Sequence, residues 1–255
     1  MKGNNFNENT RVQVPAALHL CRLGYTYLDE IPEYDKRTNI ITPIFKQSVK
    51  KLNPTMTDLE ISQLLERIVS EAKNDNLGRE FYEMLSSNSG VRLIDYEDPY
   101  QNSWHITTEF TCEDEDSGDN FRPDITCFIN GMPLAFIEVK KPNNREGILA
   151  ERRMRNKAFR PFLNITQLMI FSNNQQYDNE NRVPIQGAFY SCTSKTKAFF
   201  NVFREQDNSF VSNVHLHPLE EGVEQRILRH RNCIAVKNLP EYETNQARTT
   251  PTNSI

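Results

Sequence analysis

The chain has 255 residues, of which 37% are hydrophobic and 25% are charged, and its formal net charge is −4. That length is sufficient to bury a core in one large or two modest domains. No run approaches the roughly 18 apolar residues of a transmembrane helix, which argues against a membrane protein. The acidic balance argues against a uniformly basic, nucleic-acid-coating protein.

The five cysteines are scattered and form no Cys-x-x-Cys pair. An odd number without pairing is typical of free thiols in a reducing compartment. The N-terminus is polar and has no apolar signal segment. We therefore expect a cytoplasmic protein.

Helical signals dominate the first third of the chain. A helix is predicted over Pro15–Gly24, because proline suits a first turn and glycine a C-terminal cap. A second helix is predicted to begin at Thr57, with Glu60 completing a capping box. Its apolar positions recur at helical spacing: Leu59, Ile61, Leu64, Leu65, Ile68 and Val69. A third helix is predicted over Leu77–Leu85.

From residue 91 the pattern changes to strands, separated by turn residues. The predicted strands are Val91–Asp95, Trp104–Thr111, Pro123–Ile129, Leu134–Lys140, Gln167–Ser172 and Gly187–Thr193. A helix is predicted between the fourth and fifth of them, over Arg145–Phe159. The order of elements predicts an α/β fold, a mixed β-sheet flanked by helices, with an inserted helical segment over residues 55–88.

Charged residues close an otherwise apolar strand at Glu138-Val139-Lys140. Glu138 and Lys140 share one face of that strand because side chains alternate, and buried charges are costly unless they are paired or bind a metal. Asp124 opens the preceding strand after Pro123, so a hairpin can bring the two carboxylates together. Hard carboxylate oxygens are what Mg²⁺ binds. We predict a Mg²⁺ site formed by Asp124, Glu138 and the Val139 carbonyl, with Lys140 orienting a water or stabilising phosphate charge, which is typical of metal-dependent nucleases.

The register of this hairpin decides whether that site can exist. A regular two-residue Asn130-Gly131 loop pairs residues whose numbers sum to 261, which places Asp124 and Glu138 on opposite faces. An even sum requires a three-residue loop or one bulge. Because Pro133 has no N–H to donate, it disfavours tight strand pairing beside the turn. We predict a three-residue or bulged connection around Asn130-Gly131-Met132.

A basic segment begins at the proposed catalytic lysine. Residues 140–160 contain eight Lys or Arg residues against two Glu, a net charge of +6. A segment this basic, beside a metal site, indicates binding to phosphate groups. The predicted contacts to double-stranded DNA are Lys141, Arg145, Arg152, Arg153 and Arg155.

The segment Asp124–Lys141 resembles the nuclease region of the R (restriction) subunit of type I restriction–modification enzymes. Further similarity lies in Trp104-His105, in residues 164–174 and in Gly187–Tyr190, so the resemblance extends from about Arg11 to Glu205. It implies a restriction-endonuclease-like fold of the PD-(D/E)xK superfamily. It also implies a nuclease domain over residues 1–240, with a catalytic core at 91–205, and a linker over residues 241–255 that leads to ATP-driven motor domains. Methylation and specificity subunits are the implied partners, and ATP is implied for the full-length subunit.

Two positions depart from the family pattern. Arg145–Phe159 contains neither residue of the family's Gln-x-x-x-Tyr motif, and Gln13 stands nearest to where related nucleases often place a metal-binding glutamate on the first helix. No Gly-x-x-x-x-Gly-Lys-Ser/Thr loop occurs in the chain, so it has no ATP site of that kind. Two alternatives remain open: a non-catalytic module that docks on DNA or on partner subunits, and a stand-alone nuclease of the same fold.

Overall fold

The computed structural model describes residues 12–74, 76, 78–87, 90–113, 120–139, 160–172, 191–192 and 217–230. Within them lies a six-stranded mixed sheet. In spatial order its strands are β1 (Thr26–Tyr27), β4 (Trp104–Thr108), β7 (Ile125–Ile129), β8 (Met132–Val139), β9 (Leu168–Ser172) and β10 (Ser191–Cys192). β1 is parallel to β4 and β8 is parallel to β9, whereas the other neighbouring pairs are antiparallel.

Two small ribbons and six α-helices accompany this sheet in the described residues. The ribbons pair β2 (Tyr34–Asp35) with β3 (Ile40–Ile41) and β5 (Cys112–Glu113) with β6 (Asn120–Phe121). The helices are α1 (Val14–Arg22), α2 (Thr42–Leu52), α3 (Asp58–Ala72), α4 (Arg79–Ser86), α5 (Arg160–Ile165) and α6 (Val223–His230). The predicted fold class, a mixed sheet flanked by helices, is confirmed. None of these helices has the length and apolar character needed to cross a membrane.

Helices α1 and α6 cover one face of the sheet. Their apolar side chains join Ile106, Ile125, Cys127, Ile137 and Val139 in one buried cluster. The predicted first helix is confirmed, with Pro15 in its first turn and Gly24, at φ +103°, just beyond its end.

Helices α2, α3 and α4 pack with Met132 and Leu134 at the turn end of the central hairpin. The predicted capping box is present at the start of α3: Glu60 N–H donates to the Thr57 hydroxyl at 3.3 Å, and Thr57 N–H donates to the Glu60 carboxylate at 2.7 Å. Five of the six apolar positions predicted to face the core are buried. Leu59 is the exception, with 68% of its surface exposed, because it lies in the first turn on the outer side of the helix.

The predicted strand Val91–Asp95 is wrong, since this segment joins no sheet. Asparagine side chains satisfy its backbone in place of a neighbouring strand. Asn53 exchanges hydrogen bonds with the Arg92 backbone at 2.8 and 2.9 Å, and Asn130 Nδ2 donates to the Leu93 carbonyl at 2.9 Å. The apolar residue Leu93 is buried, so the hydrophobic signal was real although the strand was not.

The central hairpin has a two-residue turn followed by a bulge. Asn130 and Gly131 both have positive φ, 52° and 80°, as a type I′ turn requires, and Ile129 pairs with Met132. The register then shifts, because Phe128 pairs with Pro133 while Cys127 pairs with Ala135. Leu134 is therefore the extra residue. The predicted even register is confirmed beyond the bulge. Of the two predicted alternatives, the bulge is present and the three-residue loop is not, and the bulge lies after Pro133.

Strand β9 follows α5 directly and extends the sheet beside β8. The predicted strand Gln167–Ser172 is confirmed with its first residue outside the ladder. Only Ser191–Cys192 of the predicted strand Gly187–Thr193 is described. The predicted helix Arg145–Phe159 and the linker over residues 241–255 lie outside the described residues.

Candidate functional site

Asp124 and Glu138 lie opposite each other where β7 begins and β8 ends. Ile125 pairs with Ile137, so the same register places Asp124 across from Glu138. Asp124 is four positions from Phe128, and Glu138 is two positions from Phe136, so each carboxylate lies on the same face as that phenylalanine. Phe128 and Phe136 share one apolar cluster. The neighbouring Ile125 and Ile137 belong to the cluster on the other face. The two carboxylates consequently share one side of the sheet.

The Asp124 carboxylate is held by the backbone of the facing strand. Val139 N–H donates to Asp124 Oδ2 at 2.8 Å, which fixes one carboxylate oxygen against β8. Glu138 is only 5% exposed. A carboxylate so well buried needs a positive or hydrogen-bonding neighbour.

The backbone carbonyl of Asp124 is bound by residues outside β8. It accepts hydrogen bonds from Gln13 Nε2 at 2.7 Å and from Glu109 N–H at 3.0 Å. Gln13 is fully buried at the start of α1. The residue that the sequence places nearest to the family's helix glutamate thus contacts Asp124 directly.

A third carboxylate, which sequence reasoning missed, lies beside this site. Glu109 has φ +56° where β4 ends, and its side chain forms an ion pair with Arg122 at 2.8 Å. Arg122 directly precedes Pro123 and Asp124, so this pair anchors the entry to β7. Neither residue forms part of a motif, and only their pairing across the sheet shows their role.

Asp124 and Glu138 fit a divalent cation in donor chemistry. Both offer hard oxygens, the ligands that Mg²⁺ prefers. The buried amide oxygen of Gln13, Oε1, finds no hydrogen-bond partner among the described residues. In that part of the chain no group of three or more His, Cys, Asp or Glu side chains is placed to hold a metal. A cation here would complete its coordination with water, backbone or phosphate oxygens, as Mg²⁺ commonly does.

The thiol nearest in sequence is not a ligand of this site. Cys127 is 2% exposed and belongs to the apolar cluster on the other face. Burial raises the pKa of its thiol to about 12. A thiolate is the form that binds metals, so Cys127 stays protonated and inert at neutral pH.

Of the remaining predicted site residues, one is among the described residues and six are not. Val139 donates its N–H to Asp124, and its carbonyl as a metal ligand stays a prediction. The others lie outside the described residues: Lys140, Lys141, Arg145, Arg152, Arg153 and Arg155.

Comparison with known proteins gives the family. The family model described as type I restriction enzyme R protein N terminus matches residues 5–179, which include both carboxylates and the whole central hairpin. The chain belongs to this family.

Two proteins of Methanocaldococcus jannaschii are similar to this R protein N-terminal chain, and both are named as type I restriction enzyme endonuclease subunits. MjaIXP is 30% identical over 164 residues, 55% of this chain and 16% of that protein. MjaVIIIP is 24% identical over 137 residues, 48% of this chain and 13% of that protein. The matched region is therefore a small part of either relative.

Proposed function

We propose that this chain is the Mg²⁺-dependent nuclease part of a type I restriction enzyme R subunit, which hydrolyses phosphodiester bonds of double-stranded DNA. The observation that carries the proposal is the bulge at Leu134, which brings Asp124 and Glu138 to one side of the sheet. Family membership supports it, because the relatives are named as endonuclease subunits.

Each side chain has a distinct part in this proposal. Asp124 and Glu138 hold the cation, and the Val139 carbonyl is an additional ligand. Val139 N–H and Gln13 keep Asp124 oriented through its carboxylate and its backbone. Lys140, two residues after Glu138 in the sequence, would orient a water or stabilise charge on the phosphate. When bound, Mg²⁺ would acidify a coordinated water and neutralise developing phosphate charge.

The rest of the enzyme supplies what this chain lacks. We propose that ATP-driven translocation belongs to motor domains outside this chain, and that methylation and specificity subunits hold the complex on DNA in the cytoplasm. The basic residues Lys141, Arg145, Arg152, Arg153 and Arg155 would contact the DNA backbone. Their contribution would weaken as salt rises, because phosphate contacts release counterions.

The test uses the full-length R subunit assembled with its partner subunits. Asp124→Asn and Glu138→Gln remove one charge each with little change in shape, and should abolish DNA cleavage while leaving ATP hydrolysis intact. Asp29→Asn, at an exposed position, is the matched control and should cleave normally. Normal cleavage by Asp124→Asn would contradict the proposed site and favour the alternative of a non-catalytic docking module.

A further inference from the structure

A cavity of about 530 Å³ opens beside β1, the strand at one edge of the described sheet, between the C-terminal end of α1 and the segment that leads into α6. Pockets that hold ligands commonly have about 300–1,000 Å³. Trp104, the first residue of β4, lines this cavity. Asp124 lies beyond the other end of β4, where Thr108 pairs with Ile125, about 13 Å away at the usual rise of a strand. The cavity is therefore separate from the candidate cation site.

Three aromatic side chains form part of the cavity wall: Tyr25, Tyr100 and Trp104. The ring centroids of Tyr25 and Trp104 lie 5.5 Å apart and the ring planes meet at 77°, so the two rings make a corner. Trp104 Nε1 donates to the Pro99 carbonyl at 2.9 Å, which fixes the indole. Tyr100 is 79% exposed, although its ring is large and apolar. Aromatic faces of this kind attract cations.

The surroundings of the cavity are negatively charged. None of the described residues that line it is Lys or Arg, whereas Glu220 supplies a carboxylate. The two segments that contribute Tyr100 and Glu220, residues 95–101 and 217–222, contain no Lys or Arg and five acidic side chains: Asp95, Glu97, Asp98, Glu220 and Glu221. Arg92 pairs with Asp95 at 3.2 Å, and Arg226 pairs with Glu220 at 2.7 Å. The five carboxylates and two guanidinium groups leave a net charge of −3, which disfavours a phosphate and favours a cation.

We infer that the cavity binds an arginine side chain presented by a part of the R subunit outside this chain. A planar guanidinium stacks on aromatic rings and donates to carboxylates, and this cavity offers both. Glu220 already pairs with Arg226. A carboxylate has about four lone-pair sites for hydrogen bonds, so Glu220 can also accept from a second guanidinium.

The source of that arginine is argued from the length of the relatives. The matched region is 16% of MjaIXP and 13% of MjaVIIIP, so most of a subunit of this kind lies outside the match. Because the cavity is at the other end of β4, a segment bound there would leave Asp124 and Glu138 uncovered. The inference depends on membership of the family and not on the proposed nuclease chemistry.

The first test is titration of the 255-residue chain with Nα-acetyl-arginine methylamide. Trp104 is the only tryptophan in the sequence, so tryptophan fluorescence reports on this cavity alone. A saturable change in emission is expected, and binding should weaken as salt is added because ionic attraction is screened. Nα-acetyl-citrulline methylamide has nearly the same shape without the charge and should bind about tenfold more weakly. No change with the arginine probe, or equal binding of the citrulline probe, overturns the inference.

Two substitutions at exposed positions test the wall and the charge of the cavity. Tyr100→Ala removes one ring, and Glu220→Gln removes the lining carboxylate. Each should weaken binding of the arginine probe by about threefold or more. Unchanged binding in either variant overturns the inference.

Matched controls for these two variants lie on α4, outside the cavity. Tyr82 is exposed, and Glu83 forms an exposed ion pair with Arg79. Tyr82→Ala and Glu83→Gln should bind the arginine probe like the unsubstituted chain. Asp124→Asn should do the same, so failure of the cavity and failure of the proposed nuclease site are separate results. Weaker binding by these controls, equal to that of the cavity variants, overturns the inference.

The source of the arginine is tested in the full-length R subunit assembled with its partner subunits. The photoreactive amino acid p-benzoylphenylalanine replaces Tyr100, and mass spectrometry identifies the peptide that it captures. An arginine-containing peptide of the same R subunit, from outside this chain, supports the inference. Capture of a peptide without arginine, of a peptide from another subunit, or of none overturns it.

Discussion

The Val139 amide donates a hydrogen bond to the Asp124 carboxylate across the end of the central hairpin, with 2.8 Å between N and Oδ2. This contact ties the residue just before β7 to the last residue of β8. Asp124 is therefore part of the strand pairing as well as a candidate ligand, and the two roles can be separated by substitution.

Asp124→Asn and Asp124→Ala should differ in stability but not in cation binding. Asparagine keeps an oxygen that can accept from Val139 N–H, whereas alanine leaves that N–H without a partner, which costs about 1–3 kcal/mol when the group is buried. Chemical denaturation should show the larger loss for alanine, and calorimetry with Mn²⁺ should show no binding by either. Equal stability of the two variants would contradict a structural role for the hydrogen bond.

Gly131→Ala should destabilise the protein more than Gly90→Ala. Both glycines have positive φ, +80° and +113°, so alanine is strained at each, by about 1–3 kcal/mol. At Gly131 a Cβ would also lie 2.7 Å from the Ile41 carbonyl oxygen and from the Phe45 nitrogen, whereas at Gly90 it meets nothing within 4 Å. Urea denaturation of both variants measures the difference. A loss at Gly90 as large as that at Gly131 would show that the close packing of the turn is unimportant.

Asn130→Ala should cost more stability than Asn130→Gly. The Asn130 side chain donates to the Leu93 carbonyl and to Asn102 Oδ1, both at 2.9 Å, and accepts from Ser103 N–H at 2.8 Å. Both variants lose these bonds, at roughly 1 kcal/mol each or more because the partners are buried. Only glycine adopts the positive φ of 52° without strain. Thermal unfolding should rank glycine above alanine, and the reverse order would contradict the turn geometry.

The buried thiol of Cys127 should make stability fall at high pH. Its pKa is raised to about 12 in the folded chain, against 9.0 for an ordinary cysteine. The folded state therefore favours the neutral thiol, and its contribution to stability is complete below pH 9 and is lost as pH rises toward 12. Cys127→Ala should flatten the dependence of the unfolding free energy in that window. An identical slope with and without this thiol would contradict the assignment.

The sequence carried the local signals of this fold well. The Thr57 capping box, Pro15 and Gly24 at the ends of α1, and the Asn130-Gly131 turn all depend on neighbouring residues, and each is present in the structure. Such features are decided by backbone geometry within a few residues, so a pattern of residue types is sufficient to predict them.

What the sequence could not give depends on long-range partners. The strand predicted at Val91–Asp95 fails because Asn53 and Asn130 satisfy its backbone, and nothing local indicates those partners. The even register followed from the chemistry required of Asp124 and Glu138, but the position of the bulge at Leu134 did not. The Gln167 N–H donates to the Leu134 carbonyl at 2.7 Å, so the extra residue is stabilised by a segment more than 30 positions later in the chain.

The turn of the central hairpin is fixed to the β3–α2 corner, where Ile41 N–H donates to the Gly131 carbonyl at 2.9 Å. The carboxylates lie at the other end of β8, about 23 Å away at the usual rise of a strand. On the proposed function, a screen for cells that no longer restrict foreign DNA should recover substitutions at positions 130 and 131 together with those at 124 and 138. The turn mutants should be rescued at low temperature, whereas the carboxylate mutants should fail at every temperature.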